Sequence, residues 1–124
     1  MHGLRLILIA GWLFCHACSS WAHAMMVKAV PAAGSHLDQA PAVLKIQFDS
    51  ILEPAFSHIK VFDAHRVRVD KKPQTLDRSK KILNVALKPL SAGRYHVFWA
   101  VVSRDGHRTQ GDYYFYIENT DSHP

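Results

Sequence analysis

The chain has 124 residues, with 15 Lys plus Arg against 10 Asp plus Glu, a length that holds one modest domain and excludes a second hidden core. Both cysteines, Cys15 and Cys18, lie among the first 22 residues, which excludes a disulfide framework for the rest. The positive charge clusters from Arg66 to Lys88 with no interleaved aromatic residue, which argues against a nucleic-acid groove and for a solvated hairpin over Lys71 to Lys81.

In chain order, the first expected element is a secretory signal. Arg5 supplies a positive start, Leu6 to Phe14 is an apolar run of 9 residues, and Ser20-Trp21-Ala22 sets small residues at the two positions a signal peptidase reads. The run falls well short of the ~18 residues that span a bilayer, so no membrane helix is expected to remain after cleavage. A lipid anchor on Cys18 is the competing reading, but Cys15-His16-Ala17 is a poor lead-in for it. Cleavage after Ala22 divides the chain into a signal at 1–22 and a domain at 23–124. Without Arg5 that domain carries 14 Lys plus Arg against 10 Asp plus Glu, a net +4.

From here the periodicity is that of strands. Val43 to Phe48 alternates, with Leu44, Ile46 and Phe48 inward and Lys45 and Gln47 outward; His58 to Phe62 and Ile82 to Leu87 do the same. Tyr95 to Val102 is apolar on both faces, which predicts a central strand with Trp99 in the core. Asp112 to Glu118 closes the chain as an aromatic-rich strand. Pro31 to Gly34, Gln39 to Pro41, Asp63 to His65, Lys72-Pro73 and Ser91 to Gly93 supply the turns between them. About seven short strands at such spacing predict an all-β, seven-stranded Greek-key β-sandwich of immunoglobulin-like type.

Two features carry chemistry. Cleavage after Ala22 exposes His23, whose amine and Nδ1 can grip one metal ion in a six-membered ring. Ser103-Arg104-Asp105-Gly106-His107 lies between the two most apolar strands and offers a carboxylate and an imidazole two residues apart, on one face if the segment is extended. Gly106 between them lets the backbone bend. Alone, an Asp-x-His pair is a common polar loop. Combined with His23, however, it completes three nitrogens and one oxygen in a plane, a set that suits Cu(II), whereas zinc prefers a tetrahedron.

The start H-A-x-x-V-x-A-x-P-A-x-G-S-x-L (His23 to Leu37), the run A-P-x-x-L-x-I-x-F (Ala40 to Phe48) and the motif G-x-Y-x-V-x-W-x-x-x-S-x-D-G-H-x-x-x-G (Gly93 to Gly111) together resemble the CopC family of periplasmic copper-binding proteins. The resemblance implies a cupredoxin-like sandwich that carries one Cu(II) per chain for copper resistance or homeostasis, often beside a CopD-type inner-membrane partner. It implies His23, Asp105 and His107 as the metal ligands. Two departures stand out. Some members carry a methionine-rich Cu(I) loop, but Ile51 to Val69 contains no methionine, so no such site is expected, and Met25 and Met26 are neighbours of which at most one can face the metal end. Where some members place a glutamate after the second motif, this chain has Asp49-Ser50, with Glu53 nearby, and the contact of these carboxylates with the ion stays open.

The remaining histidines, His36, His58, His65, His96 and His123, read as strand, loop or tail residues. Ser103 is placed to orient the loop through its hydroxyl, and Arg104 and Arg108 flank it with positive charge. The expected function is a non-enzymatic periplasmic Cu(II) carrier. A copper oxidase holding its metal in a histidine brace, and a metal-free immunoglobulin-like interaction module, are the alternatives; an in-plane Asp105 argues against the oxidase.

Overall fold

The computed structural model describes Gly3 and residues 24–119. The leader expected over 1–22, apart from Gly3, lies outside the described residues, as do His23 and His123. Eight strands form two four-stranded sheets: β1 (Met26–Val30), β2 (His36–Leu37), β3 (Val43–Phe48), β4 (His58–Phe62), β5 (Thr75–Leu76), β6 (Ile82–Ala86), β7 (Gly93–Val102) and β8 (Arg108–Ile117). The first sheet has the order β1-β3-β6-β5 and the second β2-β8-β7-β4, so the chain passes back and forth between layers. All pairings are antiparallel except β2 with β8. The two-layer sandwich is the expected class. The strand count is eight because β2 and β5 are two-residue pairings too short to show a period.

The core is built from inward positions of both layers. Leu44, Ile46 and Phe48 of β3 and Leu83 and Val85 of β6 face Ile59 and Val61 of β4, Val97 and Val101 of β7, and Phe115 of β8, all essentially without exposure. Fully burying such a side chain contributes roughly 1.5–3 kcal/mol relative to exposure. A one-residue slip would turn each whole set outward, so the alternation fixes the register. Tyr95 hydroxyl donates to the Ser91 carbonyl at 2.6 Å and Tyr113 hydroxyl to the Pro31 carbonyl at 3.0 Å, so both rings keep their polar ends satisfied.

One expectation is corrected. β7 is central, lying between β8 and β4, but it is not buried on both faces: Tyr95, Val97 and Val101 point inward while Phe98 stays 40% exposed on the outer face. Among the described residues no second layer covers that face. Trp99 is partly buried and packs against the core, its ring edge-on to Phe48 with centroids 5.2 Å apart.

Between β4 and β5 a strap crosses from one sheet to the other. Val69 N–H donates to the Val61 carbonyl, and Lys88 N–H donates to the Val69 carbonyl. Asp70, with only 1% of its side chain exposed, accepts from the Val61 amide at 2.8 Å and holds Arg68 through two bonds of 2.6 and 2.9 Å. Further on, the Gln74 carboxamide accepts from Ile59 N–H and donates to the Ile59 carbonyl. Lys71 to Lys81 then ends in the β5–β6 hairpin, where Asp77 N–H meets the Ile82 carbonyl at 3.0 Å and the basic side chains are solvated, as expected.

Candidate metal centre

β7 and β8 pair along ten residues each, from Gly93 opposite Ile117 to Val102 opposite Arg108, and the tight turn that joins them carries Asp105 and His107. Ser103 N–H donates to the His107 carbonyl at 2.9 Å and Gly106 N–H to the Ser103 carbonyl at 2.8 Å. Gly106 takes φ 90, a left-handed conformation that a three-residue hairpin loop needs at its last position. The bend expected at Gly106 is present, and it is this turn, not an extended segment, that brings the pair together.

Within this turn Asp105 is heavily directed. Its Oδ1 accepts from the Ser103 hydroxyl and from the His107 amide at 3.2 Å, and stands 3.1 Å from His107 Nδ1. Ser103 itself is 2% exposed, so the hydroxyl that aims the carboxylate is held by the core. The Ser103 hydrogen bond first, then those from His107, lower the Asp105 carboxyl from its ordinary 3.8 to about 2. Asp105 is therefore an anion at any physiological pH. Both side chains are partly open to solvent, Asp105 at 44% and His107 at 32%, while the His107 Nδ1 that faces Asp105 is itself buried.

Ala24 and Met25, which open the continuous described stretch, are pinned beside this turn. Thr109, two positions past His107, donates its hydroxyl to the Ala24 carbonyl at 2.7 Å, and Ala24 is fully buried. Asp49 accepts from the Met25 amide at 2.8 Å, and its own amide donates back to the Met25 carbonyl at 3.0 Å. Ile51 and Leu52 run against the turn: Arg104 N–H donates to the Ile51 carbonyl, and Leu52 bridges to Ser103. Three elements thus converge at this end of the sandwich. Met25 is 60% exposed, while Met26 packs on the core.

Among the described residues no group of three or more His, Cys, Asp and Glu side chains converges on one point. Asp105 and His107 do come together, with Asp105 Oδ1 3.1 Å from His107 Nδ1. The third expected ligand, His23, lies outside the described residues. Asp49 is engaged by the Met25 amide and the Ser50 hydroxyl. His96 pairs with Asp112 at 2.6 Å, and His36 pairs with Glu118, both away from the turn. Sequence reasoning missed Thr109 and the anchoring role of Asp49, because a threonine in a strand and an aspartate after one carry no local signature.

The chain is 37% identical over 105 residues to copper transport protein CutJ of Bacillus subtilis, which spans 83% of this chain but only 19% of that longer protein. It is 34% identical over 102 residues to protein YobA of Escherichia coli K12, covering 81% of this chain and 82% of that one. Among solved structures, CopC from Methylosinus trichosporium OB3b matches with TM-score 0.74 and 29% identity over 82% of this chain and 100% of its own. PcoC, a methionine-rich copper resistance protein from Escherichia coli, matches with TM-score 0.69 and 29% identity over 78% and 100%. The sequence model of the CopC domain covers residues 26–118, the whole sandwich from β1 to the end of β8, and on that match the chain belongs to the CopC domain family.

Proposed function

We propose that this protein is a periplasmic Cu(II) carrier. Residues 1–22 direct export and are removed, and the domain at 23–124 holds one Cu(II) through the amine and imidazole of His23 together with Asp105 and His107. The observation that carries the reading is the clamp at the metal end: Thr109 and Asp49 fix Ala24 and Met25 beside the Asp105–His107 turn. His23 is bonded to Ala24, so its Cα lies only ~3.8 Å farther along the chain. Relatives named for copper resistance and copper transport favour a binding protein over an enzyme.

The residues divide the work by charge and position. Asp105, already anionic and aimed by Ser103, supplies the oxygen without first losing a proton. His23 and His107 supply nitrogens that bind only when unprotonated, and the amine, with an ordinary pKa of about 7.7–8.0, must also release its proton. Affinity therefore falls as pH drops. PcoC is described as methionine-rich, whereas this chain has no methionine after Met26, so the same fold here is read as lacking a thioether Cu(I) site. Delivery to, or receipt from, a CopD-type inner-membrane protein completes the reading.

The test is Cu(II) titration followed by EPR on two forms of the protein, one beginning at His23 and one with a single extra residue before it. One-to-one binding with a three-nitrogen signal in the first, sharply weakened in the second, is expected. Equal and weak binding in both forms removes His23 from the site and overturns the carrier mechanism.

A further inference from the structure

The outer face of the second sheet differs from the polar surface that a water-facing antiparallel sheet normally shows. A row of rings crosses it. Phe62 of β4 meets Phe98 of β7 edge-on, with centroids 5.8 Å apart; Phe98 lies 3.9 Å from the His96 ring, which stacks at 3.9 Å on Tyr114 of β8. Phe98 remains 40% exposed in spite of these partners. Two hollows, of about 620 and 430 Å³, open on this face, and Phe62 and Phe98 line both.

Cations surround the rings, and the nearby acids are already engaged. Asp112 is held by His96 at 2.6 Å, Asp63 receives the amides of His65 and Val67, and Asp70 is bound to Arg68. Among the described residues no carboxylate lies within ion-pair distance of Lys60, Arg66 or Arg94. Arg94 lies over the Tyr114 ring at 5.0 Å, so part of its charge is spread across the aromatic floor. His58, at the rim, reports the same field: burial first, then Lys60, Arg108 and Arg68, lower its pKa. The outer face of the other sheet has no such character, since Lys45 and Gln47 of β3 and Asn84 of β6 lie there without an aromatic ring.

We propose that this face is a docking surface for an acidic protein segment, which sets an apolar side chain between Phe62 and Phe98 and its carboxylates against Lys60, Arg66 and Arg94. Charge complementarity selects the occupant: an apolar floor ringed by unpaired cations matches a segment with the opposite arrangement. The two hollows lined by these rings offer depth for an inserted side chain, which favours a protein segment over a flat lipid surface. The surface needs no bound metal. The strands that carry it, β7 and β8, run on to the turn with Asp105 and His107.

The experiment is an NMR titration of the ¹⁵N-labelled protein with three probes. They are a short synthetic peptide with one phenylalanine among glutamates and aspartates, the same peptide with lysines in place of the acids, and vesicles of phosphatidylglycerol and phosphatidylcholine. Saturable shifts grouped at Lys60, Phe62, Arg94, His96 and Phe98 are expected with the acidic peptide alone. Phe98→Ala should weaken that binding about tenfold or more. Arg94→Gln should weaken it roughly two- to fivefold, and Lys80→Gln with Lys81→Gln on the far hairpin should leave it unchanged. Well-dispersed spectra of each variant establish that it is folded. Shifts absent from this face, equal shifts with the lysine peptide, or shifts produced only by vesicles would each overturn the proposal.

Discussion

Replacing Gly111 by alanine tests the packing that links the core to the Asp105–His107 turn. Gly111 stands opposite Trp99 in the β7–β8 pairing, and an added Cβ would lie 2.5 Å from one ring carbon, 2.8 Å from a second and 3.1 Å from the indole nitrogen. Ordinary carbon contacts need about 3.5–4.0 Å, so the indole must retreat by roughly 1 Å or more. Its other side is occupied, because Trp99 also packs edge-on against Phe48, and retreat therefore sacrifices that contact. Overpacking of this kind costs about 1–3 kcal/mol, from which the gain of alanine over glycine in a strand, roughly 0.5–1 kcal/mol, is subtracted. The net expectation is a loss of about 1–2 kcal/mol, or roughly 4 °C or more in Tm for a domain of this size. Trp99 is the single tryptophan after Trp21, so its emission reads the site directly in a chain beginning at His23. Urea unfolding followed by that emission should show a lower midpoint and a red-shifted native spectrum. An unchanged midpoint together with an unshifted native spectrum would refute the argument, because the indole would then not be seated over Gly111.

Ser103→Ala removes the largest cause of the low Asp105 pKa, so the carboxyl should move up from about 2 toward its ordinary 3.8, as read by ¹³C chemical shift against pH. The depressed value means that this group's contribution to stability is present above pH 3.8 and is lost as pH falls toward 2; in the variant that contribution should be smaller and its loss complete at a higher pH. Burial pushes the Tyr113 hydroxyl well above its ordinary 10, so the unfolded chain ionises first and stability is lost as pH rises past 10. Tyr113→Phe should blunt that alkaline loss while costing about 1 kcal/mol at neutral pH for the bond to Pro31, both measurable by urea melts at pH 7 and above 10. Asp70→Ala leaves the Val61 amide unpaired and Arg68 without its partner. Because the Arg68 side chain is 38% exposed and can turn to water, the expected cost is about 2 kcal/mol, below the 3–5 kcal/mol of a fully buried pair, and chemical denaturation checks it.

The long strands were legible because their side chains alternate against a single core: Leu44, Ile46 and Phe48 are buried where period two places them. β2 and β5 were not, since two residues have no period and owe their pairing to neighbours brought close by the rest of the fold. Trp99 and Phe98 show a finer limit. An unbroken apolar run reads as burial on both faces, but only the tertiary arrangement reveals that Phe98 stays 40% exposed. At the metal end, Asp105-Gly106-His107 was visible as a motif because short-range chemistry and a turn residue coincide there. Thr109 and Asp49 act across 85 and 24 residues of sequence, through bonds to backbone groups of Ala24 and Met25, and no local pattern encodes a partner that far away.

β4 lies at the edge of its sheet, where an unpaired strand would offer a ladder to any other chain. Here that ladder is already filled by side chains and by the strap. Gln74 takes both polar groups of Ile59, Asp70 takes the amide of Val61, and Val69 takes its carbonyl. A neighbouring molecule arriving at this edge finds no donor or acceptor at Ile59 or Val61 to extend the sheet. The strap thus does more than tie two layers: it guards a small domain without disulfides against sheet-to-sheet aggregation when many copies accumulate, and one glutamine and one aspartate carry much of that protection.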